Sequence, residues 1–370
     1  MKPQIRTAKS IWVDARLLNK SGIGRYIAEI LPLLHEKYDL TCIAAPEGVD
    51  FLKAHGIRYV VCTTGIYAIK EQIELPRMIQ KCDLFWSPHF NIPLLPIRAK
   101  KRLVTIHDAY HLAYAEKLSF KERLYARLFY NLAIKQSDAV ITVSDFSRSE
   151  LLKYTSSSYA AKIHVILNGV SAFREIDSAE EGPSRDYFLF VGNVKPHKNL
   201  KNAILAFKAF CLEHPELNYR FLIVGQKGGF INADQEVEAL LFEDELLRNH
   251  IEFTGFVNDQ SLKKLYQGAR CLIFPSIYEG FGLPPLESML LGTPAIVSSA
   301  ASMPELCGDA VLYFDPLVIN SIKQCIERIA TDEQLMKNLQ SKGKDQALKY
   351  NWRKAALKHS ALINEMLDTQ

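Results

Sequence analysis

Thirteen short apolar runs, none longer than five residues, recur along the chain with helical stretches between them, and this rhythm constrains the fold most. The first series is Ile11–Asp14, Thr41–Ala45, Arg58–Cys62, Leu84–Ser87, Leu103–His107, Ala139–Val143 and His164–Ile166. The second is Tyr187–Val191, Arg220–Val224, Ile251–Thr254, Cys271–Phe274, Ala295–Ser298 and Val311–Phe314. Most are unbroken Val, Ile, Leu and Phe runs without apolar/polar alternation. Strands buried on both faces read this way, so the sheets are expected to be parallel. Helical patterns at Gly24–Glu36, Phe120–Gln136, Leu200–Glu213 and Ser261–Gly268 supply the crossovers, which gives an α/β class.

Two series in 370 residues imply two domains. The stretch Ala172–Arg185 is polar, contains Gly182-Pro183 and lacks apolar periodicity, so it reads as a linker. The expected division is 1–171, linker 172–185, 186–350, and a helix over 351–370 with Trp352, Leu357, Leu362 and Met366 near one face. Two doubly wound sheets facing across a cleft should bind ligands outside the carboxyl ends of their strands.

Charge is divided unevenly. Residues 1–170 hold 24 Lys and Arg against 15 Asp and Glu, whereas the remainder holds 21 against 26. A basic half suggests an anionic partner. No helix-turn-helix or RNA-binding signature accompanies it, so nucleic acid is not expected. The seven cysteines are odd in number and form no Cys-x-x-Cys, which fits a reducing cytosol. The longest uncharged stretch, Ser288 to Pro304, contains Gly292 and Pro294 and cannot be a spanning helix; residues 1–10 are polar and basic, unlike a secretory signal.

Four segments at strand ends could carry chemistry. In Glu279-Gly280-Phe281-Gly282-Leu283-Pro284-Pro285-Leu286-Glu287, the glycines allow close backbone approach and the prolines suit a helix start. A helix N-terminus there is a natural phosphate site, and Glu279 and Glu287 could accept from sugar and ribose hydroxyls. A tight turn with Glu287 as a favourable early helical acid is the plain alternative. The segment Gly192-Asn193-Val194-Lys195-Pro196-His197-Lys198-Asn199 places cations beside another helix start, with Asn199 as the expected N-cap. A cation there could neutralise a departing diphosphate; a solvated basic loop is the alternative. Gly22-Ile23-Gly24-Arg25 lacks the third glycine of a dinucleotide fingerprint but could bring backbone and Arg25 towards phosphates. His107, Asp108 and Tyr110 sit at a strand's carboxyl end. No Asp-x-Asp occurs, so the usual carboxylate clamp for a divalent cation on a diphosphate is missing and no metal is expected.

With these motifs in their order, the chain resembles family-4 glycosyltransferases of the GT-B fold. The most specific part is the Glu279-to-Glu287 segment; Val224-Gly225, Thr254-Gly255-Phe256 and Asn168-Gly169-Val170 also match in order. The resemblance implies a retaining, metal-independent hexosyl transfer from a nucleotide sugar, and a C-terminal helix that crosses back to the first domain. It implies Glu287 on the ribose, Glu279 on the donor sugar, and the backbone of Gly280, Phe281, Gly282 and Leu283 on sugar or phosphates. Lys198 would hold the diphosphate as the principal catalytic group. Gly22, Gly24, Arg25, Gly192 and His197 would lie on its phosphate side. Gly225, Gly255, Phe256 and Val257 would sit near the base. His107 would line the donor-sugar and acceptor side with Asp108 and Tyr110. Many members carry Arg where this chain has Asn193, so His197, Lys195 or Arg25 would have to supply that contact.

Loops of the form Gly-x-x-x-Pro-x-Lys-Asn resemble those of bacterial O-antigen and exopolysaccharide transferases, often mannosyl-specific, which points to GDP-mannose and to a glycan or polyprenyl-linked acceptor on the cytoplasmic side of the plasma membrane. The cluster Arg98, Lys100, Lys101, Arg102 and the helix Phe120–Gln136 form basic surfaces. Attachment to an anionic leaflet is one reading; a core-packed helix (Phe120, Leu124, Leu128, Phe129 and Leu132 inward) with a solvated basic face is the other. A non-hydrolysing sugar-nucleotide epimerase and a catalytically silent nucleotide-sugar-binding subunit are the alternative functions.

Overall fold

The structure, a computed structural model, describes residues 9–18, 20–171, 186–225 and 235–368, with the backbone alone at Ser21 and Gln235. The expected linker, 172–185, lies outside the described residues. The chain forms two compact units, Met1–Gly169 with Asn351–Gln370, and Val170–Tyr350.

The first unit is built on β1 (Ser10–Asp14), β2 (Asp39–Ala44), β3 (Arg58–Val61), β4 (Cys82–Ser87), β5 (Ala99–Ile106), β6 (Ala139–Thr142) and β7 (Ile163–Val165). They pair in parallel in the order β3-β2-β1-β4-β5-β6-β7. The order reverses between β1 and β4, so the loops leaving those strands form the unit's switch point.

Strand β5 begins at Ala99 and takes in three residues of the basic cluster. Lys100 pairs with Asp83 at 2.7 Å and Lys101 with Asp138 at 3.6 Å, while Arg102 donates to Pro93 O at 3.0 Å and Leu95 O at 3.1 Å. These cations tie strand ends together in the structure.

The helix Trp352–Asp368 belongs to this first unit and packs on the helix Ser21–His35. Tyr38 donates to Ser360 O at 3.1 Å, and Lys9 pairs with Asp368 at 2.7 Å. Trp352, Leu362 and Met366 are buried, but Leu357 is 57% exposed and lies on the solvent side, against expectation. Gly169 admits no side chain, because a Cβ there would stand 2.2 Å from Trp352 N.

The second unit holds β8 (Tyr187–Val191), β9 (Arg220–Val224), β10 (Ile251–Gly255), β11 (Cys271–Phe274), β12 (Ala295–Ser298) and β13 (Leu312–Phe314). They too pair in parallel, in the order β10-β9-β8-β11-β12-β13, with the reversal between β8 and β11. Phe188, Phe190, Phe207, Phe210 and Phe221 fill the core between sheet and helix Leu200–Glu213. Each buried phenylalanine contributes about 1.5–3 kcal/mol, so the strands beneath the site form a rigid base.

Candidate active site

The site of the second unit is assembled where β10, β9, β8 and β11 end. Gly192 N donates to Val224 O at 2.9 Å, which brings the loop after β8 over the end of β9. A Cβ at Gly225 would stand 2.1 Å from Gly192 O, so only glycine permits this approach. Gly225 in turn bridges Gly255, whose φ of +70° also suits glycine, and Phe256 beyond it is 85% exposed. Val257 follows, half-buried.

The loops after β8 and β11 are tied to each other. Ile277 N donates to His197 O at 2.9 Å. Asn199 stands at the N-cap of Leu200–Glu213 but in the left-handed region, with φ 54° and no side-chain cap bond. Its Nδ2 donates to Pro275 O at 3.1 Å and to Pro316 O at 2.7 Å. The expected cap is therefore a clamp: a left-handed backbone turns the side chain away from its own helix. Lys198, in the turn just before, reaches across and ion-pairs with Glu279 Oε1. Its Nζ also lies 5.7 Å from the ring centroid of Phe274. Both side chains keep partial exposure, 19% and 17%, so a ligand can reach the pair. Asn193, Lys195 and His197 are half-buried on the same loop.

The segment Glu279–Glu287 is locked from behind. Ser302, fully buried, donates from Oγ towards both Glu279 O at 2.9 Å and Phe281 O at 2.6 Å. Gly282 is the N-cap of Leu283–Leu290 with φ +124°, and a Cβ there would meet Met303 Cε at 2.4 Å. Pro284 and Pro285 carry no N–H, so the first turn offers fewer donors than an ordinary helix start. The backbone N–H groups of this turn are those of Gly280, Phe281, Gly282 and Leu283. Glu287 is buried, and Tyr266 OH donates to its Oε2 at 3.0 Å. Thr293 Oγ1 donates to Tyr266 O at 2.6 Å and fixes that tyrosine.

The other predicted residues lie in the first unit. Gly22 and Gly24 fall inside the first turn of Ser21–His35, which begins three residues earlier than expected. Gly22 is exposed with open space around its Cα, and Arg25 is half-buried. Tyr26, one residue on, meets His107 edge-on at 4.9 Å, which joins this turn to the end of β5. His107 Nε2 lies 2.9 Å from Pro88 O and must donate to it. Removal from water lowers its pKa to about 4, so the ring is neutral near pH 7 and Nδ1 is an acceptor. Asp108 Oδ1 accepts from Tyr110 N at 2.9 Å. Burial raises the pKa of Tyr110, so its phenol stays protonated.

Sequence reasoning missed a buried charge network at the switch point of this unit. Arg16 binds Asp14 through two bonds of 2.8 Å and Glu71 at 2.9 Å, and His89 Nε2 lies 3.2 Å from Asp14. All four are at most 2% exposed. Burial alone would raise the Asp14 pKa, but Arg16 and His89 outweigh it and hold the carboxyl well below its usual range. The network fixes the loops after β1, β3 and β4 relative to one another. Its only sequence signal was an Asp and an Arg at the end of β1. Tyr266, Ser302 and the side-chain role of Asn199 were likewise invisible, since each depends on partners distant in sequence.

One group of metal-ligating type occurs among the described residues: Glu213, His214 and Glu327. It lies at the far end of Leu200–Glu213, about 20 Å along that helix from Lys198. Glu213 pairs with the Lys323 ammonium, and His214 with Glu327 at 2.6 Å. It is unrelated to the Lys198 loop.

Two family models cover most of the chain: Glycosyltransferase Family 4 over residues 20–173 and Glycosyl transferases group 1 over residues 173–346. The O-antigen chain mannosyltransferase B of Escherichia coli is 28% identical over 277 residues, covering 73% of this chain and 71% of that protein. The O-antigen chain mannosyltransferase RfbU of Salmonella typhimurium is 27% identical over 336 residues, covering 86% and 90%. Among solved structures, sucrose-phosphate synthase from Thermosynechococcus elongatus superimposes with a TM-score of 0.77 at 18% identity, covering 98% and 99%. Anabaena Alr3699/HepE, solved with UDP and glucose, gives 0.76 at 17% identity, covering 96% and 100%. With two parallel-sheet units and a glycosyltransferase model matching each, the chain belongs to the family-4 glycosyltransferases of the GT-B fold.

Proposed function

We propose that this glycosyltransferase moves mannose from GDP-mannose to a growing or polyprenyl-linked glycan of a bacterial surface polysaccharide, with retention of anomeric configuration and without a metal. The observation that carries the reading is the Lys198–Glu279 ion pair, which joins the loops after two adjacent strands at a switch point. In support, the pair is a partly exposed cation and carboxylate beside the glycine-rich turn, and the reading has an incoming diphosphate displace the carboxylate from Lys198. The O-antigen relatives support mannose as the sugar.

The chemistry follows from the groups present. Lys198 and the amides of Gly280–Leu283 stabilise the leaving diphosphate. Glu279 accepts from a sugar hydroxyl, and Glu287, oriented by Tyr266, accepts from the ribose. Gly192, Asn193 and His197 are assigned to the donor phosphates, and the same role is assigned to Gly22, Gly24 and Arg25 in the first unit. Gly225, Gly255, Phe256 and Val257 flank the base. His107 offers Nδ1 to an incoming hydroxyl on the acceptor side, with Asp108 and Tyr110. The acceptor's proton passes to the departing phosphate oxygen on the face that the diphosphate leaves. Such a transfer is expected on the cytoplasmic face of the membrane that carries the lipid-linked acceptor.

The test is product analysis with labelled GDP-, UDP-, dTDP- and ADP-sugars in the presence of a chelator, after a thermal-shift screen of the same donors. A donor at one hundred times its Kd stabilises the fold by about 2.7 kcal/mol. The reading expects mannose in an α-linked product, unaffected by chelation. Isomerised nucleotide sugar would establish the epimerase instead, and binding without turnover the silent subunit.

A further inference from the structure

Strand β3 stands three positions from β4 in the first sheet, about 14 Å away, yet the loop that leaves it reaches the loop after β4. The ring of Tyr67, in that loop, lies 6.1 Å from Phe90 and edge-on to Tyr125 at 6.0 Å. Phe90 stacks on Tyr130 at 4.3 Å, Tyr125 stacks on Phe129 at 4.0 Å, and Tyr130 OH donates to Asp108 O at 3.1 Å. The last three rings belong to the helix Phe120–Gln136, which buries Ala126, Phe129, Tyr130, Ala133 and Ile134. Phe120, Leu124 and Leu128, expected inward on it, are exposed instead. Tyr67 itself has φ +71°, in the left-handed region that a bulky residue rarely occupies. Its N–H donates to Glu71 Oε1 at 3.1 Å, and buried Glu71 is fixed by Arg16 at 2.9 Å and by Asn91 Nδ2. A charge network thus holds a strained backbone, and the outcome is a tyrosine left 54% exposed beside packed rings. Burial of the hydroxyl end, then the Glu71 and Asp108 carboxylates, raise its pKa, so the phenol stays protonated and the exposure falls on the ring and backbone.

We propose that Tyr67 is a stacking platform for a neutral pyranose of the acceptor glycan, with Asp108 accepting from a hydroxyl at the sugar's rim. A pyranose presents a face of C–H groups edged by hydroxyls, which suits an aromatic ring bordered by a carboxylate. The ring gives that contact a large area at little cost in side-chain freedom. A phosphate is a poor occupant, since Asp108 and Glu71 lie within electrostatic reach of the phenol, and Lys70, later in the same loop, is paired with Glu74 at 2.7 Å. The inference rests on the glycan acceptor proposed above, and it makes the group held at Tyr67 an uncharged sugar ring and not a lipid phosphate.

The test is saturation-transfer NMR of the full chain with the methyl glycosides of mannose, glucose, galactose and N-acetylglucosamine, and with mannose 6-phosphate. At least one neutral glycoside should take up saturation, concentrated on the C–H protons of one ring face, and the phosphate about fivefold less. Tyr67→Asn suits a left-handed backbone, so it should lower the neutral signal about fivefold without lowering the melting temperature. Tyr67→Trp should keep the signal. In transfer assays Tyr67→Asn should raise the acceptor KM by about tenfold, more than it lowers kcat, with GDP affinity unmoved. A tyrosine with a purely structural role would give the reverse, a lower melting temperature and an intact sugar signal. No neutral-sugar signal in the wild type, an unchanged signal in folded Tyr67→Asn, or stronger binding of the phosphate would each overturn the proposal. A Tyr67-dependent sugar signal without transfer from GDP-mannose would uphold the platform and count against the donor reading alone.

Discussion

Lys198 forms an ion pair with Glu279 across 81 residues of sequence, each from a loop that leaves one of two adjacent strands. The cation assigned to the diphosphate is therefore neutralised in the unliganded protein, and the donor must take it from a carboxylate. Glu279→Gln relieves that competition. It should tighten GDP binding several-fold while lowering turnover by about a hundredfold, since the sugar contact is lost. Competitive inhibition by GDP measured beside kcat checks both halves; weaker GDP binding would contradict the competition.

Glu287 depends on Tyr266, whose hydroxyl donates to it at 3.0 Å in a buried setting. Tyr266→Phe removes one charge-assisted bond and leaves the carboxylate less well oriented. A bond of this kind contributes about 1.5–3 kcal/mol. The expected result is a KM for the donor raised by about tenfold or more, with kcat changed far less. An effect confined to kcat would place Glu287 at the reacting bond instead of the ribose.

Gly225 supports the site through backbone proximity alone, with Gly192 O where its Cβ would be. Gly225→Ala must push apart the ends of β8 and β9 and should cost at least about 2 kcal/mol. Chemical denaturation gives the value, and donor affinity should fall with it. Stability and affinity like those of the wild type would contradict the close approach.

A pH dependence follows from His359. Its Nδ1 lies 2.8 Å from Ala355 O and must donate, so Nε2 accepts from Tyr26 OH at 2.6 Å. Burial lowers its pKa from 6.5 to about 4, so the unfolded chain binds a proton that the folded chain refuses between those values. The stability contributed is present above pH 6.5 and is lost as pH falls towards 4. This single group is worth about 3 kcal/mol over that window. Melting temperature should drop through it, and the drop should be smaller in His359→Gln, whose side chain can still accept from Tyr26.

How much of this was legible in the sequence depended on whether a residue's role was local. Tyr187–Val191, Arg220–Val224, Cys271–Phe274 and Ala295–Ser298 end where the apolar runs end, because strands covered on both faces admit little else. Strand β5 starts four residues before Leu103, because Lys100 and Lys101 find acidic partners on neighbouring segments that no local pattern reveals. Lys198, Glu279 and Glu287 were legible as charges beside glycine-rich strand ends. Asn199 is legible as the N-cap position, but N-cap preference says nothing of the left-handed backbone that sends its side chain to Pro275 O and Pro316 O. Phe120, Leu124 and Leu128 had the spacing of a core face, and only packing shows which side of that helix the core takes.

The most direct test of the account is transfer of labelled mannose from GDP-mannose to a lipid-linked glycan by the wild-type protein and Lys198→Ala side by side, with GDP affinity measured on the same samples. Removing one preorganised donor from the leaving group costs about 3–4 kcal/mol of barrier. The account predicts efficient wild-type transfer, a variant slowed by several hundredfold with weaker GDP binding, and unchanged melting of the unliganded fold. Wild-type rates and GDP affinity in Lys198→Ala would show that the diphosphate is held elsewhere.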